Sequence, residues 1–123
     1  MNVERYASAF DQAHPLQCAI GAQRTVDLDF SQPLTVGTLA RAAGVSPGRL
    51  QRRFVELTGM TVHAYLTTRR LDEAIRLLRT TDDKVEWIAR RVGWSSRKNL
   101  NRALARAHGV TPADIRGQVP PAE

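Results

Sequence analysis

Arg52 and Arg102 are the residues of this chain best suited to chemistry, and that chemistry is recognition rather than catalysis. A guanidinium makes two parallel hydrogen bonds to the acceptor edge of guanine, and a Gln or Asn amide does the same for adenine. Gln51 and Asn101 stand directly before the two arginines, in 46-SPGRLQRRF-54 and 96-SRKNLNRAL-104. At helical spacing, Leu50, Phe54 and Leu57 share one face of the first segment. Gly48, Gln51 and Arg52 then lie on the opposite face, with Arg49 flanking. In the second segment Leu100, Leu104 and Ala107 point inward, leaving Lys98, Asn101 and Arg102 outward with Arg97 flanking. These outward residues are the candidate base-edge contacts. Arg53, Arg106 and the helix starts at Ser46 and Ser96 are the candidate phosphate contacts, since a helix N-terminus offers backbone N–H donors to an anion.

Most surface arginines are simply solvated. What raises Arg52 and Arg102 above that default is their equivalence in an internal repeat. Leu39-Ala40-Arg41 aligns with Ile88-Ala89-Arg90, and Gly44 with Gly93, at an offset of 49. Beyond the turn the offset is 50: Ser46 matches Ser96, Leu50 matches Leu100, Gln51-Arg52 match Asn101-Arg102, and Gly59 matches Gly109. The one-residue insertion falls in a turn, where insertions are tolerated. Each unit has a small residue (Ala40 or Ala89) where a second helix crosses closely. Each also has a glycine for a positive-φ turn and an apolar plug, Val45 or Trp94. That is the grammar of a helix-turn-helix, whose second helix enters the major groove.

The elements that position these faces are short helices punctuated by Gly, Pro and Ser, with no period-2 strand pattern. The pattern predicts helices over 3–13, 18–30, 34–44 (capped by Thr35, stopped by Gly44), 47–58 (capped by Ser46) and 61–79. A further helix over 84–93 is expected to be capped by Asp82 and Asp83, another follows Ser96, and a last short turn opens at Thr111-Pro112. Trp87 is expected in a helix-packing seam, and Glu56 and Glu86 as ordinary surface charges. The tail 118–123 is expected to fray.

Charge follows the repeat. Residues 41–106 hold 15 Lys/Arg against 6 Asp/Glu, a local net of +9, in a chain of net charge +6. Such concentration favours a polyanionic partner. Nothing supports an enzyme. There is no Ser–His–Asp grouping, paired carboxylate or phosphate loop, and His14, His63 and His108 lack metal-ligand spacing. A lone Cys18 makes neither a disulfide nor a zinc site, so no metal and no cofactor are expected. With no membrane-length apolar run and no signal-peptide pattern, the expectation is a soluble cytoplasmic protein.

The chain resembles the AraC/XylS family of transcription regulators, specifically their paired helix-turn-helix DNA-binding domain. The resemblance covers about residues 18–117 and rests on 33-PLTVGTLARAAGVSPGRLQRRF-54, on Tyr65-Leu66, Arg70-Leu71, Ala74 and Leu77-Leu78, on 88-IARRVGWSS-96 and on 109-GVTPADIR-116. It implies an all-α fold of two homeodomain-like three-helix units joined by a long linker helix. The expected divisions are an N-terminal extension 1–17, a first helix-turn-helix subdomain 18–62, a linker helix 63–80, a second subdomain 81–117 and a tail 118–123. It further implies a sequence-specific regulator of double-stranded DNA, an activator by analogy, with RNA polymerase as a further partner. One monomer would place its two second helices in successive major grooves, about 34 Å apart. The family's base-reading positions fall on Gly48, Gln51, Arg52, Arg97, Lys98, Asn101 and Arg102.

The chain departs from the family pattern in places. Gly48 replaces a larger contacting side chain, and Leu100, Leu104 and Ile115 replace aromatics, which reads as repacking. Only about twenty residues precede the match, so the expectation is either a stand-alone small regulator or the DNA-binding fragment of a larger ligand-responsive one. The alternative function is a protein-interaction module in which helix 3–13 docks a partner.

Overall fold

The computed structural model describes residues 15–117, and among them lie seven α-helices and no strand. They are α1 (Gln17–Asp29), α2 (Val36–Ala43), α3 (Pro47–Thr58), α4 (Val62–Thr80), α5 (Val85–Val92), α6 (Arg97–His108) and α7 (Pro112–Gly117). The expected helix over 3–13 and the fraying tail lie outside the described residues. The chain forms two compact units divided between Leu66 and Thr67, inside α4. The helix expected to be a linker thus gives its first residues to one unit and the rest to the other.

In the first unit α1 packs on α2 and α3 around Val26, Leu39, Ala40, Leu50, Phe54, Val62 and Leu66. Ala40 is 1% exposed, and that is what lets α3 cross α2 closely. The Tyr65 ring meets Phe54 edge-on at 5.4 Å. Its hydroxyl donates to Asp27 Oδ1 at 2.6 Å, which fastens α4 to α1. In the second unit α5 packs on α6. Its buried residues include Leu71, Ala74, Leu78, Ile88, Ala89, Leu100, Leu104 and Ile115. The three replacements of aromatics therefore all serve a core, as expected from their positions. Ala107 does not; it is exposed at the end of α6.

Helix ends follow the local sequence at most places. Thr35 and Thr38 form a reciprocal capping box at α2. Ser46 Oγ accepts the Arg49 N–H and Ser96 Oγ that of Asn99. At α5 the expectation fails: the N-cap is Lys84, with no side-chain hydrogen bond, and neither Asp82 nor Asp83 takes that role. A residue not singled out in the sequence closes the end of α4. The Arg116 guanidinium donates to the carbonyl of Leu78 (3.3 Å), in the last turn of α4, and to those of Thr81 (3.1 Å) and Asp83 in the segment after it, tying α7 to the end of α4 and its exit.

Candidate nucleic-acid interface

Both turns are built alike. After α2, the Gly44 N–H reaches Arg41 O and the Val45 N–H reaches Ala40 O at 3.1 Å. After α5, the Gly93 N–H reaches Arg90 O and the Trp94 N–H reaches Ala89 O at 2.9 Å. This double closure needs a left-handed residue, and the glycines hold φ of +72° and +115°. The turn therefore presents α3 and α6 at a defined angle to the helices that support them. Val45 and Trp94, half-buried, fill the corners.

On these presented helices the expected faces separate. Leu50, Phe54, Leu100 and Leu104 are fully buried, while Arg52, Arg97, Lys98 and Arg102 are exposed. No ion pair among the described residues holds any of those four cations. Gly48 is exposed, and a Cβ there would lie 3.5 Å from an Arg52 guanidinium nitrogen, an ordinary van der Waals contact. Arg49 is half-buried. Gln51 and Asn101 are half-buried too, in unlike circumstances: Gln51 Oε1 accepts the Val62 N–H at 3.1 Å, whereas Asn101 Oδ1 is buried without a partner.

The phosphate candidates also divide. Arg106 is exposed, whereas Arg53 is half-buried and reaches Glu56 at 3.4 Å. Ser46 and Ser96 use their oxygens as helix caps. At the start of α6 a second donor is engaged besides the Asn99 N–H, because Glu86 Oε2 accepts the Arg97 N–H at 3.0 Å while Oε1 faces Arg90 at 3.3 Å. Glu86 is therefore not an ordinary surface charge but a tie from α5 to the presented helix. The repeat hid this role, because its counterpart in the first unit is Gly37. Trp87 likewise departs from expectation. It is 50% exposed, with the Arg91 guanidinium 4.9 Å from its ring.

The helix-turn-helix domain family matches residues 39–118 of this chain. The chain belongs to the AraC/XylS family of helix-turn-helix transcription regulators. It is 35% identical over 91 residues to the regulatory protein SoxS of Salmonella typhimurium, spanning 74% of this chain and 85% of that one. Its fold is similar to the C-terminal domain of AraT, a response regulator from Geobacillus stearothermophilus, with a TM-score of 0.82 at 30% identity, covering 87% of this chain and 89% of that one. It is also similar to the DNA-binding domain of the global transcriptional factor AdpA, solved in complex with a target DNA (TM-score 0.72, 34% identity, 81% and 89% covered). This is a family of DNA-binding regulators, not of enzymes. Among the described residues there is no metal-binding group of His, Cys, Asp and Glu, and no helix is long and apolar enough to cross a membrane.

Proposed function

We propose that this chain is a sequence-specific reader of double-stranded DNA that places α3 and α6 in two successive major grooves. The observation that carries the reading is the duplicated turn, which presents two helices whose outer faces bear unpaired cations. Arg52, Arg97, Lys98, Asn101 and Arg102 contact base edges, and Gly48, Arg49 and Gln51 lie along the same faces. Arg53, Arg106 and the helix starts at Ser46 and Ser96 contact phosphates. That a similar DNA-binding domain, the one from AdpA, was solved in complex with a target DNA supports DNA as the partner. One monomer serves one site. The protein acts in the cytoplasm as an activator, with RNA polymerase as a second partner, in keeping with its SoxS relative being a regulatory protein.

Affinity for duplex DNA measured against salt concentration tests the reading. Neutralised phosphates release counterions, so log K falls with log salt at about −0.9 per phosphate contact. Arg52→Ala and Arg102→Ala are each expected to cost about 1–3 kcal/mol on the preferred site with an unchanged melting temperature. Salt-independent binding, or unaltered specific affinity in both variants, would contradict it.

A further inference from the structure

The two units share a framework but treat one pair of residues differently. Gln51 and Asn101 are equivalent, at an offset of 50. Each is half-buried on its presented helix, just before the exposed arginine. In the first unit the Gln51 amide oxygen accepts the N–H of Val62, the first residue of α4, at 3.1 Å. Val62 is 2% exposed and belongs to the core, so this bond fixes where α4 leaves α3. The residue equivalent to Val62 is Pro112, which begins α7 and has no N–H to give. Asn101 therefore has no such donor. Its side chain is also one methylene shorter, and its Oδ1 is buried with no hydrogen-bond partner.

The neighbouring positions differ in the same direction. Where α6 carries Arg97 and Lys98, both exposed, α3 carries Pro47 and Gly48. The Arg52 guanidinium lies beside Gly48, at van der Waals distance from where a Cβ would stand. On its outer face α3 thus exposes Arg52 alone of these hydrogen-bonding side chains, where α6 exposes Arg97, Lys98 and Arg102.

We propose that the two helices divide the work: α6 is the discriminating helix, with the Asn101 amide as its adenine-reading group, and Gln51 is a positioning residue that holds α3 to the start of α4. This rests on the DNA-reading function proposed above. Reading adenine takes an amide's acceptor and donor together, the acceptor for N6–H and the donor for N7. Gln51 has already committed its acceptor inside the protein. Asn101 has an acceptor that is unsatisfied in the free chain, and a buried polar atom without a partner is unfavourable. Rotating outward to adenine gives that oxygen its missing donor, so the unbound state favours engagement.

The test combines selection from random duplexes with thermal melting for the wild type and three variants. Asn101→Ala is expected to lose the preference for adenine at one base pair of one half-site, by about five- to a hundredfold. Gln51→Met removes the acceptor. It is expected to lower the melting temperature and to weaken binding to all duplexes by a similar factor, leaving the pattern of base preference as in the wild type. Gln51→Glu keeps the acceptor and is expected to restore the melting temperature. The proposal is overturned if Gln51→Met erases a base preference at unchanged melting temperature, or if Asn101→Ala leaves every preference intact in a chain that selects a sequence. A wild type that selects no sequence at all would overturn the DNA-reading function itself, which is a different failure.

Discussion

Replacing Gly93 by alanine tests how strictly the second turn is built. The residue holds φ +115° and ψ +2°. A Cβ added there would lie 2.7 Å from Nε of Arg70 and 2.9 Å from its Cζ. A non-glycine residue in such a region costs about 1–3 kcal/mol of backbone strain. The Arg70 guanidinium ends a flexible chain and has to swing aside, which adds about 0.5–1.5 kcal/mol if a torsion leaves its staggered well. Together these give about 1.5–4.5 kcal/mol. Gly109→Ala is the control: its φ is +67° and no atom lies within 4 Å of the added carbon. Only the backbone penalty of about 1–2 kcal/mol applies there. Denaturant unfolding measures both, and a double substitution of Arg70→Ala with Gly93→Ala separates the two contributions. Because the second change removes the obstacle, the double variant is expected to lose less than the sum of the single losses. Equal costs at Gly93 and Gly109, or strict additivity with Arg70→Ala, would refute the packing argument.

Two further outcomes follow from the same unit. Arg116→Ala removes a charged donor from three carbonyls in the last turn of α4 and the segment after it, and should cost about 1.5–3 kcal/mol in unfolding free energy, with Arg116→Lys recovering only part of it because one ammonium cannot span all three acceptors. The hydrogen bond from Arg76, 2.6 Å from Glu73 Oε1, holds the Glu73 carboxyl below its ordinary range. A lowered folded pKa stabilises above the unfolded value, about 4.3, and that contribution disappears as pH falls through the folded value. The stability gap between wild type and Glu73→Gln, followed by acid unfolding, should be constant near neutral pH and shrink in acid; a gap that widens in acid contradicts the assignment.

Much of the framework was legible because it is local. Thr35, Ser46 and Ser96 cap helices through their own backbone neighbours, and Gly44, Gly59, Gly93 and Gly109 end them with positive φ. The periodicity of Leu50, Phe54, Leu100 and Leu104 set the buried face, and with it the exposure of Arg52 and Arg102. What escaped reading depends on contacts across the chain. Glu86 looked solvated until the fold brought the Arg97 N–H to its carboxylate, eleven residues on. Trp87 has an apolar ring, yet it stays half exposed beneath Arg91, while Ile88 next to it is buried. Arg116 resembles any C-terminal cation until α7 lies beside the end of α4. Gln51 and Asn101 look interchangeable by spacing, and only the N–H of Val62, absent at Pro112, tells them apart.

The most direct test of a two-helix reader is the sequence that one chain selects from random duplexes, with its footprint. Two preferred blocks with centres about 10 base pairs apart on one face of the duplex, one altered by Arg52→Ala and the other by Arg102→Ala, are the predicted result. A single block insensitive to one of these substitutions, or binding indifferent to sequence, would contradict it.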